Sequence, residues 1–203
     1  MFDFSQGQLH LSQADPILAT LISRYGQCTI QPQRQYFAAL VEAILSQQLS
    51  VKAAATIFKR FKEKLGGRIT PEKILRWTAP QFRAVGISRQ KTSYLRDLAA
   101  KWQNGALAPR RFTGMTDEEV IAALTQVKGI GRWTAEMFLI FSLLRPDVLP
   151  VDDLGFRKAV QIAYKLRRLP DAKRLTQIAE PWRPYRSLAT WYLWASLENK
   201  PIN

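Results

Sequence analysis

Between Arg34 and Ser50 the apolar residues Phe37, Leu40, Val41, Ile44 and Leu45 fall at i, i+3, i+4, i+7 and i+8. That spacing lays one continuous stripe along an amphipathic helix, and it predicts that the stripe is buried. The same period recurs along nearly the whole chain, whereas strand-type alternation is confined to short runs. An all-α fold is expected.

The residues that start and stop helices divide this pattern. A helix over Val51 to Leu65 is expected to end at Gly66-Gly67, which tolerate positive φ and weaken helix. Thr70-Pro71 and Thr78 with Gln81 mark two further starts, by a proline in the first turn and a capping-box spacing. Another helix is expected over about Arg89 to Gln103. The strongest start is Thr116-Asp117-Glu118-Glu119, a Thr cap followed by carboxylates at the positive end of the helix dipole. Its helix should finish by Val127, and the next should run from about Arg132 to Leu144, stopped by Arg145-Pro146. Segments near Leu154 to Lys165, Ala172 to Glu180 and Tyr185 to Glu198 complete the set, the last apolar nearly all round. No low-complexity linker separates these elements. The expected architecture is two helical lobes with a cleft between them, a middle lobe of about residues 51–144 and a terminal lobe in which about 1–50 joins 145–203.

Composition adds a partner. The chain has 203 residues, 47% of them hydrophobic, enough for a full core, and 30 Lys and Arg against 16 Asp and Glu leave a formal charge of +14. A polyanion is the partner such a charge favours. The charge is uneven: Lys59 to Arg111 holds 14 basic and 3 acidic residues, Arg157 to Arg186 holds 9 and 2, and Phe112 to Asp153 between them holds 3 and 7. Cys28 is the sole cysteine, which excludes an internal disulfide and a cysteine-ligated cluster. No run of 18 apolar residues and no basic-then-apolar N-terminus is present, so neither a membrane span nor secretion is expected.

The segment Leu124-Thr-Gln-Val-Lys-Gly-Ile-Gly-Arg-Trp-Thr-Ala joins two helices through Gly129-Ile130-Gly131. Glycines there let backbone N–H groups approach a phosphate at the start of a helix, although a plain structural turn has the same appearance. Phe82 to Thr92 echoes it faintly, with Val85-Gly86-Ile87 before a basic helix start. About twenty residues past the hairpin, Pro150-Val151-Asp152-Asp153 places two carboxylates before a helix. One of them suffices as an N-cap, which leaves the other for chemistry.

Together, the capped helix, the glycine turn, Trp-Thr-Ala and the Asp pair resemble the helix-hairpin-helix superfamily of base-excision DNA glycosylases. Leu149 to Leu154 and the C-terminal segment Trp182 to Trp194 are similar to alkylpurine glycosylases of the 3-methyladenine DNA glycosylase II type. The similarity extends from Ala14-Asp15-Pro16 to Trp194. It implies a compact member, since the chain begins too near its first helix to carry the extra N-terminal α/β domain of larger ones.

The resemblance implies roles residue by residue. Asp153 would be the catalytic carboxylate, with Asp152 the alternative if the register follows endonuclease III-like enzymes. Trp133, Met137 and Trp191 would line the pocket for an extruded base, although such residues at helical spacing are usually core. Leu49 would be the wedge in the minor groove, flanked by Gln48 and Ser50, and Lys128, Gly129, Gly131, Arg132 and Thr134 would grip phosphate. The backbone carbonyls of Thr125, Val127 and Ile130 would hold a monovalent cation, Na or K, when DNA is bound, and no cofactor is required. Bifunctional relatives carry a lysine two residues past the second hairpin glycine, and Trp133 stands there. The expected activity is hydrolytic excision of alkylated purines, such as 3-methyladenine and 7-methylguanine, from double-stranded DNA in base excision repair, without lyase activity. A monomer is expected, cytoplasmic and at the nucleoid in a bacterium, or nuclear in a eukaryote. Two alternatives stay open, a non-catalytic helix-hairpin-helix DNA-binding protein and a glycosylase for another damaged or mismatched base.

Overall fold

The computed structural model describes residues 4–198, and among them every regular element is a helix. In chain order they are α1 (Phe4–Ala14), α2 (Pro16–Tyr25), α3 (Tyr36–Ser46), α4 (Val51–Lys64), α5 (Pro71–Arg76), α6 (Ala79–Ala84), α7 (Arg89–Gln103), α8 (Asp117–Thr125), α9 (Arg132–Phe141), α10 (Leu154–Ala163), α11 (Ala172–Ala179) and α12 (Arg186–Glu198). Short 3-10 turns at Pro109–Gly114 and Glu180–Trp182 link some of them. α1 and α2 precede the first helix that periodicity marked. α9 is shorter than its apolar pattern, because Leu144 turns to φ +51 and the Arg145 N–H returns to the Leu139 carbonyl at 2.9 Å.

The chain divides into two compact units, one built from Gln33 to Phe138 and the other from the residues up to Pro32 together with those from Leu139 onward. These bounds differ from the expected lobes at both joins. Residues 33–50 belong to the middle unit, because the buried stripe of α3 packs on α4 and α7.

In the middle unit, Phe37, Leu40, Val41, Ile44 and Leu45 are all buried, as their period requires. Each such side chain contributes roughly 2 kcal/mol by leaving water. Phe61, Trp77 and Phe82 form an edge-to-face cluster beside α5 and α6. Thr116 caps α8 through its hydroxyl, and Glu119 accepts the Thr116 N–H in return at 2.7 Å.

The terminal unit closes around Leu11, Leu18, Phe156, Trp182, Tyr192 and Leu193. Asp15 is buried within it, and its charge is matched by four donors. Oδ1 accepts from the Ile17 and Leu18 N–H groups that open α2, while Oδ2 accepts from Tyr164 Oη at 2.5 Å and Trp182 Nε1 at 3.0 Å. Burial, reinforced by the Asp15 carboxylate, pushes the Tyr164 phenol well above its ordinary value. A second network sets the loop before α10. Asp147 accepts from Arg183 and Arg186, the Val148 N–H donates to Ser187 Oγ at 2.9 Å, and the Ser187 N–H donates to the Pro146 carbonyl at 2.9 Å. The chain therefore enters Val151-Asp152-Asp153 from a fixed direction.

Candidate functional site

The middle unit contains a cavity of about 580 Å³. Gln47 and Gln48 from the α3–α4 turn, Lys91 and Tyr94 from α7, and Trp133 and Met137 from α9 are among its walls. Trp133 is 44% exposed, so it is a surface ring at this cavity and not core. Trp191 behaves oppositely: it is 5% exposed and packs edge-on against Tyr192, centroids 4.9 Å apart, inside the terminal unit.

The α3–α4 turn presents an apolar point. Leu49 is 40% exposed and Val51 88%, on either side of Ser50, whose Oγ accepts the Ala53 N–H and caps α4. Gln48 bends the chain at φ +58 and is exposed. Lys91 Nζ donates to the carbonyls of Leu45 and Gln47 at 2.6 and 2.7 Å, and Gln47 Nε2 donates to the Gly129 carbonyl at 2.7 Å.

The hairpin joins α8 to α9. Gly129 has φ +81, and a Cβ there would lie 2.2 Å from Tyr94 Cδ2, so both conformation and space demand glycine. Gly131 has no such constraint, because a Cβ would meet nothing within 4 Å. Its carbonyl accepts the Ala135 N–H at 3.1 Å, which starts α9. The Lys128 N–H is held by Asp97 Oδ2 at 2.8 Å, and Lys101 Nζ donates to Asp97 Oδ1 at 2.6 Å. Burial raises the Asp97 carboxyl, but Lys101 and the Lys128 amide outweigh it and leave it below the ordinary carboxylate range. Arg132 is paired with Glu118 and with buried Glu136, and Thr134 is buried. Among the main-chain oxygens expected to hold an ion, Val127 O accepts the Ile130 N–H at 3.0 Å. Among the described residues no cluster of three His, Cys, Asp or Glu side chains could hold a metal.

In the terminal unit Asp153 is itself the N-cap of α10. Its Oδ1 accepts from the Phe156 N–H at 2.5 Å and from Trp194 Nε1 at 3.0 Å. Capping and candidate chemistry thus fall on the same carboxylate and are not shared out between the pair, because Asp153 directly precedes Leu154. Asp152 is exposed. Trp194 is stacked on Phe141, centroids 5.8 Å apart, and Gly155 leaves room for both partners, since a Cβ there would sit 3.2 Å from Asp153 Oδ1.

Residues 41–184 match the HhH-GPD superfamily of base excision DNA repair proteins. The chain belongs to that superfamily. DNA-3-methyladenine glycosylase 1 of Schizosaccharomyces pombe is 37% identical over 94% of this chain and 86% of its own. The solved structure of the S. pombe 3-methyladenine DNA glycosylase in complex with abasic DNA superposes with a TM-score of 0.85 at 35% identity, covering 98% of this chain and 99% of that one. A DNA-3-methyladenine glycosidase of Bacillus halodurans gives 0.82 at 35% identity, over 92% and 86%. In this HhH-GPD chain Trp133, Leu49 and Gly129 stand out in the sequence, whereas Gln47, Lys91, Tyr94, Asp97 and the Asp153 contact of Trp194 emerge only from the structure. The one advance signal was that Lys91 lies in the basic region and Trp194 in the family-like C-terminal segment.

Proposed function

We propose that the protein is a monofunctional DNA glycosylase that hydrolyses the N-glycosidic bond of alkylated purines in double-stranded DNA, the first step of base excision repair. The observation that carries the reading is Asp153, whose Oδ1 is pinned by the Phe156 amide and the Trp194 indole. Departure of the base leaves positive charge shared between C1′ and the ring oxygen of the sugar. A carboxylate held in one orientation stabilises that charge without reorganising at the moment of reaction. Accepting the capping hydrogen bonds at Oδ1 is compatible with that electrostatic role.

Substrate class follows from the walls available. Ring-nitrogen alkylation makes a purine cationic and a better leaving group, so a strong general acid is unnecessary, and an exposed indole such as Trp133 attracts a cationic ring. Trp191 is assigned to base recognition by resemblance alone, and its ring is buried against Tyr192. Strand scission through a Schiff base needs an uncommitted amine. Residue 133 is a tryptophan, and the Lys91 ammonium at the same cavity is engaged by two carbonyls. An intact abasic site is the expected product.

Leu49 is assigned as the wedge that fills the stack behind an extruded nucleotide, with Gln48 and Ser50 beside it. Phosphate is assigned to the hairpin main chain, Lys128 and the first turn of α9. Arg132 is assigned to phosphate as well, from a half-exposed guanidinium that is paired with Glu118 and Glu136. The carbonyls of Thr125, Val127 and Ile130 offer neutral oxygen donors of the kind that suits Na or K, with DNA bound as the occasion for occupancy. The protein is assigned as a monomer that needs no other cofactor.

The test compares wild type, Asp153→Asn and Asp152→Asn on methylated DNA, with released bases read by chromatography. Asparagine still caps a helix and its carbonyl still accepts the indole hydrogen, so Asp153→Asn removes charge and little else. Release should fall about 100-fold or more, with DNA binding retained. Undiminished release by Asp153→Asn would overturn the assignment, and loss in Asp152→Asn alone would transfer it.

A further inference from the structure

One face of α7 carries Lys91, Tyr94 and Asp97, none of which has a role in the scheme above. Lys91 holds the carbonyls that end α3. Three residues on, the Tyr94 ring occupies the space in front of Gly129, and one turn further Asp97 holds the Lys128 N–H. Gln47 then ties the α3–α4 turn directly to the hairpin through the Gly129 carbonyl, across 82 residues of sequence. Two devices that must act on the same DNA are thereby fastened to one helix and to each other.

Lys91 bears a cost in this position. It is half-buried, and loss of hydration pulls its ammonium below the ordinary lysine value. A lysine serving only as a surface charge would avoid that loss. Its reward is the Leu45 and Gln47 carbonyls, which the end of α3 would otherwise leave without helical partners. Gln48, the next residue, stands at φ +58, a conformation that persists in a non-glycine residue only where its surroundings hold it.

We infer that Lys91 and Gln47 are positioning residues that lock the α3–α4 turn to the hairpin, so that Leu49 meets the base stack in fixed register with the phosphate grip. Unstacking a base step is unfavourable, and a loose turn would add the entropy of ordering itself to that cost. The inference rests on the wedge role proposed for Leu49. It also separates two kinds of lysine: one that contacts phosphate adds to affinity for all DNA, whereas one that fixes a wedge adds only where a base has left the stack.

The experiment uses the full chain with Lys91→Met, Gln47→Met, the double variant and Leu49→Ala. Affinity is measured across a range of salt for two duplexes, one undamaged and one carrying a tetrahydrofuran abasic analogue beside 2-aminopurine. Each single variant should lose about tenfold in affinity for the abasic duplex, and the double should lose less than the product of the two, as expected for groups acting as a unit. The 2-aminopurine signal of unstacking should drop, while undamaged-duplex affinity and its salt slope stay as in wild type. Equal weakening on both duplexes, with a salt slope reduced by about one, would make Lys91 a phosphate contact and overturn the proposal. Unchanged abasic affinity in both Lys91→Met and Gln47→Met would overturn it too. Should Lys91→Met fail to fold, by thermal melting, Gln47→Met decides alone. Full abasic affinity in Leu49→Ala would instead show that the wedge reading had failed, a result legible apart from the behaviour of the two positioning variants.

Discussion

Two turns beside the cavity of the middle unit each carry a residue in the left-handed region, and they accommodate it in opposite ways. At the hairpin, Gly129 sits at φ +81 with the Tyr94 ring pressed against it. At the α3–α4 turn, Gln48 sits at φ +58 with its surface facing solvent. Where another group crowds the backbone, a side chain has nowhere to go. Where the turn is held from one side by Lys91 and Gln47 and is open to water on the other, a strained non-glycine residue is tolerated and its side chain becomes available for contact. A positive φ is therefore one constraint and close approach is another, and only the hairpin combines them.

Gly131 shows what remains when neither operates, and it sets up the sharpest way to break the comparison. Gly129→Ala combines an unfavourable φ with a Cβ 2.2 Å from a ring carbon, and should destabilise by about 3 kcal/mol. In a protein of this size that lowers the melting temperature by roughly 10 °C, with binding weakened on every sequence. Gly131→Ala should leave melting within about 0.5 kcal/mol of wild type while reducing DNA affinity severalfold, because only an approaching phosphate would meet the new methyl. Equal melting in the two variants would mean that Tyr94 yields and that the hairpin turn is as permissive as the other.

Gln48→Gly probes the opposite turn with a smaller effect. Relief of the left-handed conformation should offset the added freedom of the unfolded chain and raise stability by about 0.5 kcal/mol. Affinity for abasic DNA should nonetheless fall, because the side chain beside Leu49 is gone. A variant that melts earlier than wild type would place Gln48 among the residues that need their own side chain for folding.

The smallest effect concerns acid. Asp97 has its folded value below that of the unfolded chain, so its contribution is fully present above roughly pH 4 and is lost as pH falls through the lower folded value. Stability differences between wild type and Asp97→Asn should therefore shrink from at most about 1 kcal/mol near pH 6 toward zero near pH 2. The protection factor of the Lys128 amide, its exchange rate divided out for the intrinsic dependence on pH, should fall over the same interval. A difference that stays constant on acidification would show that the carboxylate charge is irrelevant to the hairpin.

What the sequence reveals tracks how local each cause is. The α3 stripe and the Thr116 box are legible because a helix and its cap are decided within a few residues. Leu49 and Gly129 are legible through resemblance, and the structure supplies the reason for Gly129 in Tyr94, 35 positions upstream in the chain. Lys91, Gln47 and the hairpin contact of Asp97 are not legible, since the main-chain groups they hold lie 31 to 82 residues away and carry no residue identity; only the Asp97–Lys101 pair is local. The two tryptophans make the same point. Trp133 and Trp191 both sit on apolar helices, yet one is 44% and the other 5% exposed, a difference that depends on what packs beside them.

Asp15 carries a consequence for how the protein is made. Its side chain bonds Tyr164 and Trp182, 149 and 167 residues ahead. During synthesis a carboxylate emerging early from the ribosome must wait for almost the entire polypeptide before Oδ2 meets its two donors, while residues 33–138 leave the exit tunnel earlier. Nascent chains arrested near residue 150 should accordingly have α1 and α2 open to protease, and these helices should become resistant only once Trp182 has cleared the exit tunnel.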